Sequence, residues 1–286
     1  MIYKVFYITF LFMIFHVVDI IGFGGLMIYL LPLISCSLVL LVTLKLYGYS
    51  GLRIPPIHKT TIVIGLLIAM LQIVLLIDAG FLMGFGRSPY SHTLTGVLIN
   101  SAYVLFIPLT IEYSRAYVLK GVRKPLRALI LTASLYTFLL VSPIRLLGLL
   151  RAEPLEILDF LGLQIITTFT WNLLASVLVL LAGPLASLAY RVPIEAFWRF
   201  SPILPNLTWG WKVITGVVPP IVGFTALIYQ ATPSQFRKLG IRPEREGGIR
   251  TLKRERREIL WTTIFCIVAI LAIWFATGLL GVFPSI

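Results

Sequence analysis

The sequence predicts an all-α, polytopic membrane protein built from seven transmembrane helices plus one re-entrant hairpin, or from eight full spans. Three observations predict it. Of the 286 residues, 59% are hydrophobic. Only 12% are charged, about half of what a soluble domain carries. Mean hydropathy is +0.98, and the apolar residues gather in runs of roughly 20, the length that crosses a bilayer as a helix. Too little remains for a water-soluble core, so a soluble protein of this length is excluded.

The elements follow in order. Residues 3–21 form span one; they lack an Ala-x-Ala cleavage pattern and stay as a helix rather than a signal peptide. Gly22, Gly24 and Gly25 turn the chain into span two, 26–46, which ends at Lys45 and a polar stretch with Arg53, Pro55, Pro56, His58 and Lys59. Span three is 61–85. The polar link 86–93 leads to span four, 94–119, closed by Lys120, Arg123, Lys124 and Arg127. Span five is 128–150, and an acidic link with Glu153, Glu156 and Asp159 precedes span six, 163–190, which bends or ends near Pro184. Two further apolar stretches, 211–229 and 259–280, flank a strongly charged segment. These divide the chain into a polytopic domain, 1–230, a basic segment, 231–258, and a final transmembrane helix, 259–286.

Charge sets the orientation. Lys and Arg number 24 against 11 Asp and Glu, a net +13. In a multi-spanning protein such an excess marks cytoplasmic loops. The segment 232–258 alone holds nine cations, and the loops at 45–59 and 120–127 are basic, so these and the N-terminus with Lys4 are expected in the cytoplasm. Three plain spans after residue 127 would carry the nine-cation segment to the wrong side. Pro219 and Pro220, flanked by Gly216 and Gly223, remove two amide donors from the middle of 211–229. That stretch is therefore expected to be a re-entrant hairpin buried against protein. The C-terminus is then external, in a multi-pass protein of the plasma membrane. Eight full spans, the alternative, would place the sequon Asn206-Leu207-Thr208 outside; with the hairpin the sequon is cytoplasmic and silent.

No zinc-protease, Gly-x-Ser-x-Gly, Gly-x-Gly-Asp or P-loop signature occurs. The three histidines lie in separate segments, and neither a metal nor a cofactor is expected. Cys36 and Cys266 sit inside apolar runs and say nothing of redox compartment. Four Gln, three Asn and two Cys hint at a heat-loving source. The basic segment lacks the aromatic residues that stack on bases, so nucleic acid is not an expected partner and membrane lipid is.

Ionisable residues inside spans are costly unless paired and carry a functional hypothesis. Here they are His16 and Asp19 in span one, Asp78 in span three, Glu112 and Arg115 in span four, and Arg145 in span five, with Arg87 in the adjoining link. Glu112 and Arg115, at i,i+3, can neutralise one another, as can His16 and Asp19. Asp78, Arg87 and Arg145 fall toward one side, where an ion pair between spans three and five is expected. These groups either fix helix packing or line a polar path for a substrate or proton. Gly80-x-x-x-Gly84 reads as a close helix contact.

Three stretches are similar to the membrane region of multi-spanning archaeal signal peptidases: Asp78 to Gly96, Phe200 to Trp209, and Trp274 to Ile286. The last resembles the family's helix that delivers the chain to the external face just before a Ser-Gly-Ser-Met-x-Pro motif. The sequence stops where that nucleophilic serine would begin, and no position matches the family's serine, base or aspartate, so no catalytic residue is carried over. The resemblance implies a membrane domain that anchors a serine endopeptidase, supplied by another chain or by further sequence, and presents signal peptides to it beside the secretion translocon. The competing expectations are a transporter or a protein or DNA translocation channel, with Asp78, Glu112 and Arg145 along its path, and a scaffold subunit of an envelope complex.

Overall fold

The computed structural model describes residues 27–47, 59–122 and 124–231, together with Lys4, Tyr7, Phe10, Leu11, Gln235 and Leu239. His16, Asp19, Cys266, nearly all of the basic segment and the whole of 259–286 lie outside the described residues. The described residues are mostly helical. In order the elements are α1 (Met27–Tyr47), α2 (Lys59–Met83), β1 (Phe85–Arg87), α3 (Leu94–Leu119), α4 (Pro125–Leu140), α5 (Pro143–Gly148), a 3-10 turn (Leu149–Arg151), α6 (Pro154–Phe160), a π-helical turn (Leu161–Ile166), α7 (Thr167–Ala182), α8 (Pro184–Phe200), β2 (Ile203–Pro205) and α9 (Trp209–Gln230). Among the described residues, five stretches are long and apolar enough to cross a membrane: Tyr29–Tyr47, Lys59–Met83, Leu94–Leu119, Glu156–Ala182, in which α6, the π turn and α7 run on as one rod, and Trp209–Gln230. The α4 and α8 helices, of 16 and 17 residues, are shorter.

Side-chain contacts give the direction of each helix. At one end of the bundle Lys120 Nζ donates to the Tyr47 carbonyl and Lys4 Nζ to the Val118 and Lys120 carbonyls. At the other end Tyr103 donates to the carbonyl of Tyr29, so α1 and α3 are parallel. There β1 and β2 pair antiparallel, with Phe85 opposite Pro205, Gly86 opposite Leu204 and Arg87 opposite Ile203. This clasp brings the C-terminal ends of α2 and α8 together. Gln235 then donates to Thr61 at the start of α2, so α9 has returned the chain to the basic end.

The bundle is apolar on both sides of its wall. A buried cluster that includes Ile64, Ile68, Leu174, Leu178, Leu181, Ala186, Tyr190, Ile194 and Leu227 joins α2, α7, α8 and α9. Leu66, Leu67, Met70, Val74, Phe81 and Leu82 of α2 nevertheless face outward. A helix apolar all round suits a lipid solvent, not water. Helices approach closely where a side chain is missing: a Cβ on Gly65 would stand 2.7 Å from the Ala186 carbonyl oxygen, and one on Gly223 would stand 2.4 Å from Ile68.

Two expectations are corrected. The stretch around Pro219 and Pro220 is no re-entrant hairpin, because α9 is one continuous helix with both prolines buried inside it. The orientation conflict is resolved earlier in the chain. The break expected near Pro184 is there, but residues 184–190 open a separate helix instead of closing a span: Gly183, at φ +87°, ends α7, and Pro184 starts α8 at a position where its missing donor costs nothing. The extra helix restores parity, so a full-length α9 ends at the basic end. Within α9 the prolines strip the Thr215 and Gly216 carbonyls of helical donors. Neighbouring helices make such sites tolerable in a membrane; Gly216, for example, lies against the Thr167 side chain.

A second consequence is that the sequon at Asn206, expected in the cytoplasm, lies at the clasp, with Arg199 and Lys212 near it. The Gly80-x-x-x-Gly84 pair is likewise not a helix contact. Gly84 takes φ +88° to end α2, and Gly80 makes room for the returning Phe85 ring, which a Cβ would meet at 2.3 Å.

Candidate functional site

The polar centre of the bundle starts from Glu112 and Arg115. At i,i+3 on α3 they share a face, and they form the expected pair, with Nε of Arg115 3.0 Å from Glu112 Oε2 and both side chains fully buried. All of Arg115's donors are used. Nη2 reaches Glu112 Oε1 at 3.4 Å and Asn172 Oδ1 at 2.7 Å, while Nη1 reaches the Asn172 carbonyl at 3.0 Å and Ser176 Oγ at 2.9 Å. Its guanidinium stacks 4.3 Å from the centre of the Tyr136 ring, whose hydroxyl is hydrogen-bonded to Ser114. Asn172 Nδ2 donates onward to Thr137. Arg115 thus ties α3 to α7 and α4 through bonds of the charge-assisted kind.

The partner that sequence reasoning missed is Arg191. It is buried in the middle of α8, and its Nη1 donates to Glu112 Oε1 at 3.0 Å. This is its side chain's single hydrogen bond among the described residues. Nη2 stands 3.9 Å from Glu195 Oε1, one turn further along α8, and the buried Nε makes no hydrogen bond. The guanidinium lies 5.1 Å from the Trp171 ring centre. Ser187, one turn before Arg191, holds its Oγ beside the Glu112 carboxylate but outside hydrogen-bonding geometry. A Gly-Pro helix boundary inside the apolar run 163–190 was the available signal: it puts Arg191 mid-helix instead of at a span end.

The charges continue toward the clasp. Glu195 faces Arg199 at 4.0 Å, and Arg199 sits over Tyr90 at 5.0 Å and Tyr103 at 4.6 Å. Arg115, Glu112, Arg191, Glu195 and Arg199 therefore form a line of alternating sign from the sealed core to the clasp end. Beside it, Gln72 of α2 accepts from Tyr190 at 3.0 Å and Trp171 at 3.3 Å, fixing the aromatic wall.

The other expected residues are elsewhere. Asp78, Arg87 and Arg145 are exposed, and among the described residues no ion pair links Asp78 to either arginine. The expected bridge between spans three and five is absent there, and these residues do not join Glu112. Asp78→Asn and Arg145→Leu are accordingly expected to change stability by no more than about 0.5 kcal/mol, read as unchanged unfolding midpoints in micelles; a large loss from either would place it in a buried network. Among the described residues no three His, Cys, Asp or Glu side chains gather into a metal site. Cys36 is buried, and its carbonyl accepts from Thr110.

The arrangement can do two chemical things. Arg115 holds a carboxylate rigidly, with every donor used. Arg191 holds the same carboxylate by one donor and leaves the rest of its fork to be contested. Comparison with family models, with curated proteins and with solved structures finds no match to this chain.

Proposed function

We propose that this protein is a transport-class membrane protein whose exchange centre is the Glu112–Arg191 pair. One observation carries the reading: two buried arginines share one glutamate, and they are unequally bound, five donors used on Arg115 and one on Arg191. A charge in hydrocarbon is costly, and intramembrane ionisable groups typically mark substrate or ion paths. A purely structural cluster would satisfy both cations, since an under-bonded buried donor lowers stability. By the positive-inside rule the end carrying Lys4, Lys45, Lys59, Lys120 and Lys124 faces the cytoplasm of the plasma membrane. The clasp, the sequon and the mouth of the charge line then face outward.

The test needs no knowledge of the substrate. In proteoliposomes, a Ser187→Cys variant is treated with a membrane-impermeant thiol reagent from either face, with both native cysteines, Cys36 and Cys266, replaced and with Asn206→Cys and Gly121→Cys as markers of the two ends. A carrier exposes residue 187 to both faces in turn. Protection from both faces while the markers react would leave the cluster a structural clamp and end the transport reading.

A second reading keeps the resemblance to archaeal signal-peptidase membrane regions. What favours it is that two of the stretches similar to that family, about 110 residues apart in the chain, meet in the clasp: β1 belongs to one and β2 to the other. On this reading the clasp end presents signal peptides to a peptidase domain. The expected result is that the full-length protein, purified from its own membranes, carries an activity that cleaves a synthetic signal peptide. Purified material without such activity removes the reading.

A further inference from the structure

A guanidinium pairs best with a carboxylate side-on, through Nε and one terminal nitrogen together. Both arginines of the cluster can be judged by that edge. On Arg115 it is taken by Glu112, Nε to Oε2 at 3.0 Å and Nη2 to Oε1 at 3.4 Å. On Arg191 the equivalent edge lies in a site that is 3% exposed. There Nε makes no hydrogen bond, and Nη2 meets only a distant carboxylate, Glu195 at 3.9 Å. The buried Oγ of Ser187 is one helical turn away on the same face of α8.

Charge points the same way. The contiguous line holds three arginines and two glutamates, which leaves one positive charge without a counterpart. A cation that stays protonated under all ordinary conditions cannot shed that charge by titrating. A neutral polar ligand would leave it uncompensated, and a divalent anion would overshoot.

We propose that the Nε and Nη2 edge of Arg191, assisted by the Ser187 hydroxyl, binds a small monocarboxylate side-on, and that this anion is the species exchanged at the centre. The statement about exchange rests on the transport reading; the statement about binding does not. The anion reaches the site from the clasp end. Arg199, steadied by Tyr90 and Tyr103, meets it first, and it then displaces the Glu195 carboxylate, whose side chain is 26% exposed. Glu112 stays with Arg115 throughout.

Formate and acetate are the probes, with chloride as the spherical control, titrated against the full-length protein in detergent by calorimetry and by melting temperature. Both carboxylates are expected to bind saturably and to raise the melting temperature, and chloride to bind more weakly. R191K keeps the charge but loses the fork, and binding is expected to weaken roughly tenfold or more. E195Q removes the competing carboxylate and is expected to tighten binding, which tests the proposal even where R191K folds poorly. No saturable binding of either probe, equal binding of chloride, or E195Q weakening the interaction overturns it. Specific binding with residue 187 closed to both membrane faces keeps the site and removes the carrier. Access from both faces with no carboxylate binding keeps the carrier and removes the monocarboxylate.

Discussion

Glu112→Gln is expected to destabilise the folded protein by about 3–5 kcal/mol, the usual cost of leaving buried charge uncompensated. The substitution is nearly isosteric, so packing barely changes; what changes is that two buried guanidiniums lose the carboxylate standing 3.0 Å from each. Arg115 keeps Asn172 and Ser176 as acceptors, and neither carries charge. Arg191 keeps only the remote Glu195. The measurement is the unfolding midpoint in mixed micelles. The double variant Glu112→Gln with Arg191→Met separates charge from shape, since it leaves one cation instead of two in the core and should recover a large part of the loss. A single variant within about 1 kcal/mol of the parent would mean that the arginines are neutralised some other way, and the central role given to Glu112 would have to be abandoned.

Gly65→Leu is the second large effect. The position lies where α2 and α8 approach so closely that a single added carbon would stand 2.7 Å from the backbone oxygen of Ala186. A backbone carbonyl cannot rotate away as a side chain can, so the helices must separate. Gly65→Ala already overpacks the contact, at a cost of about 1–3 kcal/mol, partly offset by roughly 0.5–1 kcal/mol from removing a glycine from a helix interior. Leucine adds three more carbons with no further offset. It should also open the cluster that includes Ile64, Ala186 and Tyr190, and with it the wall that steadies Gln72 and Trp171 beside Arg191. The observable is a graded fall in unfolding midpoint, parent above alanine above leucine. Equal midpoints for all three would show that the helices part without loss.

These cases show how the residues encode the fold unevenly. Glu112 and Arg115 are visible as a pair because helical spacing alone puts them on one face. Arg191 is not, because its depth depends on the chain turning back into the bundle as a separate helix after the break at Gly183 and Pro184. Pro219 and Pro220 mislead in the opposite direction: in water two prolines argue for a break, whereas a helix enclosed by neighbours in lipid absorbs the lost donors. The clasp leaves no periodic trace, since strands of three residues are too short for alternation to register. Gly80 and Gly84 have the spacing of a helix contact, yet serve a chain reversal and a folded-back aromatic ring. The membrane-helix character was plain from hydropathy because it sums over many residues. The site was half visible because it depends on which helix lies beside which.

The polarity of α8 bears on how the protein is made. With Arg191, Glu195 and Arg199 within 17 residues, this helix is a poor candidate for entering a bilayer alone, since each arginine near a helix centre adds about 2.5–3.5 kcal/mol to the insertion free energy. Its counter-charge, Glu112, is on α3, which leaves the ribosome some 80 residues sooner. Biogenesis therefore has a required order: α3 must be in the membrane, with its acid held by Arg115 alone, before α8 can follow. Until then α8 waits at the insertion machinery or at the interface, and α9 and everything after it waits too. A lesion at Glu112 would therefore be felt in the yield of correctly inserted chain as well as in the stability of the bundle that forms.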